Sequence, residues 1–194
     1  EGISASSFLT LAAPYLPFDG MNEKGVAIAL LAVPEAYPPQ GDDKITLNTT
    51  TAIRLVLDNA ASVDEAVELL RQYNIYFSAD VECHYLIADS TGASVIVEYW
   101  DGALQTVEPD ADYQIASNFV AYGGLNIGKG FTEFERYDAV KARIEEGDGV
   151  LSVDDAAALL AEIGVCDGDT DMLQWSTVYN LTTLDGIIFA HRNV

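Results

Sequence analysis

Basic side chains are scarce in this chain: nine lysines and arginines stand against thirty-one aspartates and glutamates in 194 residues, a formal net charge of −22. Such a surface repels phosphate backbones and anionic lipid headgroups, so nucleic acid and charged membranes are excluded as partners, and the acidity reads as a solvated surface. Cysteine is scarcer still. Cys83 and Cys166 are too few for a disulfide framework, which sets a mild expectation of a reducing, cytoplasmic compartment. No window approaches the roughly 20 uninterrupted apolar residues of a membrane-spanning helix. Histidine and cysteine nowhere cluster at zinc spacing. Asp167-Gly-Asp-Thr-Asp171 alternates carboxylates as a calcium loop does, but Met172 stands where the sixth-position glycine belongs and the twelfth-position glutamate is missing. An EF-hand is therefore rejected, a weak surface cation site is the most this segment could form, and neither a metal nor a cofactor is expected. There is no internal repeat or low-complexity segment.

What is present suits a globular chain. With 49% hydrophobic residues and six prolines, residues 1–194 fit a single domain with a core of useful size. The continuous apolar run Val26 to Val33 predicts a strand buried on both faces, ended by Pro34 and Pro38-Pro39. Thr49 to Ala61 predicts a helix with Ile53, Leu55, Val56 and Leu57 on its core face and Asn48 or Thr49 as cap. Ser62 and Glu65 form a capping-box pattern ahead of a second helix. Cys83 to Ala88 and Ala93 to Trp100 flank Asp89-Ser-Thr-Gly92, a hairpin signal. A short strand follows Gly102, and Tyr113 to Ser117 predicts another. Phe134, Tyr137, Val140 and Ile144 mark a helix over Phe131 to Glu146, ended by Gly147; Ser152 with Asp155 caps the next. Finally, Asp185-Gly186 between Trp175 to Thr182 and Ile187 to His191 predicts a closing hairpin. Strand, two helices, antiparallel strands, two helices, hairpin: this order gives an α+β fold with helices layered on packed sheets, not a βαβ series.

Few residues could carry chemistry. Asn118, between a strand-like segment and the glycine-rich loop at Gly123-Gly124, can project its amide toward an oxyanion, although a lone asparagine before a loop is also an ordinary turn former. Arg136 sits among Glu133, Glu135 and Asp138, where an exposed ion pair would be its plain role. Cys83 and His84 are neighbours in a strand, so their side chains point to opposite faces and cannot form a nucleophile and base; a structural role is expected for both, as for His191.

Several stretches together resemble one family. Asp19-Gly-Met-Asn-Glu-Lys-Gly25 ahead of Val26-Ala-Ile-Ala-Leu-Leu31, Cys83-His-Tyr-Leu-Ile-Ala-Asp89, Ala116-Ser-Asn-Phe119 and Gln174-Trp-Ser-Thr-Val-Tyr-Asn-Leu181 are similar to the choloylglycine hydrolase and penicillin acylase family of linear-amide hydrolases. The resemblance covers nearly the whole chain and implies the four-layer αββα sandwich of N-terminal nucleophile hydrolases. It also implies cleavage of non-peptide C–N bonds, in bile-salt, penicillin V or other N-acyl amides, by an N-terminal cysteine whose own α-amine is its base. Glu1 carries no nucleophile. The chain is therefore expected to be the C-terminal part of a longer hydrolase, incomplete at its N-terminal side, with a missing segment supplying the cysteine.

By the same resemblance Asn118 is the oxyanion donor, and Arg136, within Phe134-Glu-Arg-Tyr137, supports the nucleophile electrostatically. Ala32 stands where bile-salt and penicillin V members carry Asn or Tyr as an oxyanion or substrate contact; its side chain cannot donate, but its backbone N–H can. Pro34 matches a family proline and supports the register. The partners implied are a small acyl-amide substrate and further copies of the chain in a homo-oligomer, covering apolar surface where missing strands would pair. The alternative, to which Glu1 and Ala32 lend weight, is a non-catalytic binding or assembly module that retains the fold and holds a small acyl ligand.

Overall fold

The computed structural model describes residues 15–190 apart from 42, 129, 131, 165, 168, 169 and 172, with 166, 167, 170 and 171 described by backbone alone. In chain order the elements are β1 (Asp19–Met21), β2 (Ala27–Ala32), β3 (Thr46–Asn48), α1 (Thr49–Asn59), α2 (Val63–Arg71), β4 (Asn74–Tyr76), β5 (Cys83–Ala88), β6 (Ser94–Trp100), β7 (Ala103–Val107), β8 (Phe119–Val120) and β9 (Ile127–Gly128). They continue with α3 (Thr132–Glu146), α4 (Val153–Glu162), β10 (Cys166–Asp167), β11 (Thr170–Asp171), β12 (Trp175–Asn180) and β13 (Asp185–Ala190). The main sheet runs β1-β2-β5-β6-β7, antiparallel throughout.

Alternation along these strands builds the core. Val26 and Ile28 on the β2 side, Cys83, Tyr85 and Ile87 of β5, and Val95, Val97 and Tyr99 of β6 share one face and pack beneath Ile53 and Val56 of α1 and Ala66 and Leu70 of α2. Each large apolar side chain removed from water here contributes roughly 1.5–3 kcal/mol. The parallel pair β3 and β4 extends this outer layer.

The helix starts are set locally. Asn48 Oδ1 accepts the Thr51 N–H at 2.8 Å, Ser62 Oγ that of Glu65 at 3.2 Å, and Ser152 Oγ that of Asp155 at 3.1 Å. Glu65 completes its box one residue early, taking the Ala61 N–H at 2.8 Å. The turn ahead of β2 is fixed by Asn22, whose Nδ2 donates to the carbonyls of Leu57 and Ala60 while its Oδ1 accepts the N–H groups of Lys24 and Val26. Gly25 has φ +78, and a Cβ there would lie 2.5 Å from the Leu181 carbonyl oxygen, so only glycine lets the β12–β13 connection approach this turn.

On the inner face of the sheet the β12–β13 hairpin approaches β1: Phe18 stacks on Trp175 at 6.5 Å, and the Tyr179 hydroxyl donates to Asp19. Helix α4 lies against β12, and α3 covers β8 through Phe134 and Tyr137 on Phe119. Helices, sheet, strands and helices thus follow one another as the αββα arrangement of an α+β fold.

Three local expectations change. β2 is buried only toward α1; its other face is half-buried, because the layer across from it packs loosely over a groove. Residues 113–117 form no strand, since Gln114 Nε2 donates to the Val107 carbonyl at 2.6 Å and Ser117 Oγ to that of Glu133 at 2.9 Å, an irregular path held by side chains. The closing turn is Leu181 to Leu184, with Asp185 and Gly186 inside β13, because Asn180 Oδ1 accepts the N–H groups of both Thr182 and Thr183 and starts the turn early.

Candidate functional site

The alternation of backbone hydrogen bonds in β2 prepares the site. Val33 N–H donates to Glu82 on the β5 side, whereas Leu30 N–H donates to Phe18 on the β1 side, each at 2.9 Å. Ala32, like Leu30, therefore turns its backbone groups away from β5, just beyond the start of β1. Its carbonyl accepts the Asn118 Nδ2–H at 2.7 Å. Asn118 Oδ1 in turn accepts from Arg136 Nη2 at 2.6 Å, and Arg136 Nε donates to the Thr132 carbonyl at 3.3 Å.

This chain of bonds brings together the three residues singled out in the sequence. A guanidinium can only donate and a carbonyl only accept, so the amide of Asn118 has one permitted orientation. One of its two N–H bonds is committed to Ala32; the second is free of that bond. Asn118 sits immediately before β8, not after a strand as its setting suggested, and Phe119 anchors it by stacking on Phe134 at 4.7 Å and meeting Tyr137 edge-on at 5.4 Å.

Arg136 departs from the plain expectation for it. Among the described residues no carboxylate lies within ion-pairing distance of its guanidinium, although Glu133, Glu135 and Asp138 are near in sequence. Instead it lines two spaces that share Leu31, Leu160 and Ile163 as walls. A groove of 540 Å³ is walled by Leu30, Leu31, Leu160, Ile163 and Trp175, and a smaller cavity of 190 Å³ holds Asn118 and Arg136 between Leu31, Tyr137 and Val140. These walls escaped the sequence reading, since Leu160 and Ile163 look like any core face of a helix.

Cys83 and His84 point oppositely, as strand geometry requires. Burial pushes the Cys83 thiol up to about 12, the Tyr85 hydroxyl pulling it slightly back, so it stays protonated near neutrality and faces the helices rather than the groove. His84 Nδ1 lies 2.8 Å from Glu98 Oε1 on the inner face. The side chains of Asp167, Asp171 and His191 lie outside the described residues. Among the described residues no three His, Cys, Asp or Glu side chains gather to hold a metal ion, and no helix is long and apolar enough to cross a membrane.

Residues 8–144 match the linear amide C-N hydrolases, choloylglycine hydrolase family. The chain belongs to that family. Penicillin V acylase of Pectobacterium atrosepticum is 37% identical to it over 111 residues, 52% of this chain and 29% of the acylase. Bile salt hydrolase/transferase of Clostridium perfringens is 29% identical over 153 residues, 70% of this chain and 46% of the relative. The chain thus spans less than half the length of these two curated relatives. Among solved structures, a mutant of conjugated bile acid hydrolase from Clostridium perfringens aligns with a TM-score of 0.67 at 20% identity, over 91% of this chain and 70% of that one. Penicillin V acylase from Agrobacterium tumefaciens also gives 0.67, at 23% identity, over 89% and 62%. At such identities the likeness establishes the fold alone, an αββα sandwich shared with these two structures. The Asp19 to Gly25 stretch serves in this chain as architecture: Asn22 ties β2 to α1, and Gly25 admits the closing hairpin.

Proposed function

We propose that this choloylglycine hydrolase family chain provides the oxyanion and acyl-binding side of an amidohydrolase for small linear amides of the bile-salt, penicillin V or N-acyl type. The observation that carries the reading is the bonded series Ala32 carbonyl, Asn118 amide and Arg136 guanidinium at the wall of an apolar groove. Its nucleophile is an N-terminal cysteine contributed from outside these 194 residues, in a longer hydrolase of which this chain forms a single C-terminal domain. Exposed Phe18, Trp175, Ile187 and Ile188 are the apolar surface against which that segment, or another copy of the chain in a homo-oligomer, would pack.

In the reaction the thiolate adds to the amide carbonyl and the carbonyl oxygen becomes an oxyanion. Asn118 donates its second Nδ2–H to that oxygen, and the Ala32 N–H, turned the same way, is placed for a second bond. The tetrahedral intermediate collapses to a thioester as the amine leaves with a proton. Water then releases the acid and restores the thiol. Arg136 fixes the Asn118 amide and supplies a positive charge that favours the thiolate. The Leu30, Leu31, Leu160, Ile163 and Trp175 walls suit an apolar acyl group.

The test uses the full-length enzyme, with penicillin V and a glycine-conjugated bile salt as substrates and free amine as readout. Asn118→Ala is expected to lower kcat about 100- to 1,000-fold with little change in KM. Undiminished turnover in that variant, or no turnover of either amide by the unmodified enzyme, would overturn the reading. These 194 residues alone are expected to be inactive, and turnover abolished by Cys83→Ser would count equally against it.

A further inference from the structure

Glu98 lies mid-strand in β6 and is 2% exposed, on the inner face where a carboxylate is costly unless its charge is fully hydrogen-bonded. Tyr85 pairs with Val97, so His84 and Glu98 stand side by side one step further along the two strands. Glu98 Oε1 takes His84 Nδ1 at 2.8 Å and the Ala121 N–H at 2.9 Å, and Oε2 takes the Tyr122 N–H at 2.9 Å. Burial pushes the carboxyl up, but these three donors outweigh it and hold Glu98 below the usual glutamate range. The charge is therefore committed to the backbone immediately beyond β8.

That backbone is otherwise held by short elements: Phe119 and Val120 are buried, and the Gly124 N–H donates to the Ala121 carbonyl at 3.1 Å. β8 is two residues long and, among the described residues, pairs only with the two-residue β9, and the turn after Tyr122 passes through Gly123 and Gly124 at φ 61 and 73. Asn118 opens this short segment. On one side it is tied by Ser117 Oγ and the Phe119 stack, and on the other by Glu98.

We infer that Glu98, oriented by His84, is the positioning residue for the Asn118 amide: it grips the Ala121 and Tyr122 N–H groups and so fixes where Asn118 Nδ2 is aimed. Glu98 lines neither the groove nor the cavity at Arg136, so it acts through Asn118 and not on substrate. The inference rests on the reading of Asn118 as the oxyanion donor. Reacting groups tolerate little displacement, with a shift of about 1 Å costing on the order of 100-fold in rate.

Glu98→Gln tests this, because it keeps the shape but turns an amide NH2 toward one of the N–H donors. The side-chain amide signals of Asn118, assigned by their loss in Asn118→Ala, are followed by NMR, with Leu86→Ala on the same sheet face as the control for lost packing. In Glu98→Gln those protons should exchange with solvent about tenfold faster, and kcat of the full-length enzyme should fall about tenfold at unchanged KM. In Leu86→Ala both should stay at their original values. Asn118 exchange equal in the two variants would overturn the inference. Faster Asn118 exchange with kcat unchanged would uphold the positioning and sink the oxyanion reading instead. Should Glu98→Gln fail to fold, His84→Gln is the deciding variant, since it removes one donor and leaves both backbone bonds: faster Asn118 exchange supports the inference, and unaltered exchange overturns it.

Discussion

The two faces of the main sheet are made from alternate residues of the same strands, yet they are built to different ends. Toward α1 and α2, Cys83, Tyr85, Ile87, Val95, Val97 and Tyr99 are all buried, and their neighbours are aliphatic or aromatic. Toward α3, α4 and the closing hairpin, the interleaved residues include the His84–Glu98 pair, half-buried Leu31 and Leu86, and the walls of a groove. The outer face excludes water and supplies stability; the inner face tolerates polar groups and open space, which a site needs. One residue of shift along a strand changes which purpose a side chain serves.

Adjacent residues of β5 give the largest expected contrast. Ile87 is fully buried against the helices, so Ile87→Ala should cost about 2–5 kcal/mol through lost transfer energy and the cavity left behind. Leu86 is half-buried beside looser packing, and Leu86→Ala should cost about 1 kcal/mol. Urea unfolding of the two variants measures both; equal losses would erase the distinction between the faces.

Acid should separate the faces by their carboxylates. Asp89 caps α2 from the β5–β6 turn, its Oδ2 accepting the Val63 N–H at 2.9 Å. Burial pushes its carboxyl up, but bonds from the Thr91 hydroxyl and the N–H groups of Val63, Thr91 and Ala93 hold it below the usual range. Glu98 on the inner face is lowered likewise. A depressed pKa in the folded state means stability that is fully present above the unfolded value, near 4, and lost as pH falls through the folded one. Asp89→Asn and Glu98→Gln should each flatten the loss of stability below about pH 4. Only Glu98→Gln should also disturb Asn118. An unchanged acid slope in either variant would show that its carboxylate is not held by the fold.

The same division explains which features were legible in the sequence. Caps at Asn48, Ser62 and Ser152 are local, needing a side chain and an N–H within one turn, and they form where the residue types place them. The outer strands follow their periodicity. Residues 113–117 read as a strand because their types allow one, but the Gln114 and Ser117 bonds to distant carbonyls decide otherwise. Asn118 and Arg136 could be picked out by type and by resemblance. That Asn118 would bond the backbone of Ala32, 86 residues away, or that Glu98 would grip the segment behind it, is set by packing between layers, which leaves no local pattern to find.

The smallest expected effect tests the hairpin that closes the inner side. Asp185-Gly186 promised a tight turn, yet Asn180 captures two N–H groups first, and the chain then needs a left-handed residue to rejoin the ladder. Leu184 takes that place at φ 62, donating its N–H to the Asn180 carbonyl at 2.8 Å. A leucine in this region carries strain of roughly 1–2 kcal/mol. Glycine relieves the strain but loses more backbone freedom on folding, which offsets part of the gain. Leu184→Gly should therefore raise stability by no more than about 1 kcal/mol, read as a small upward shift in the denaturation midpoint with an unchanged slope. Destabilisation would mean that Leu184, 45% exposed, packs against something in solution, and the hairpin would then belong to a covered surface instead of an open one.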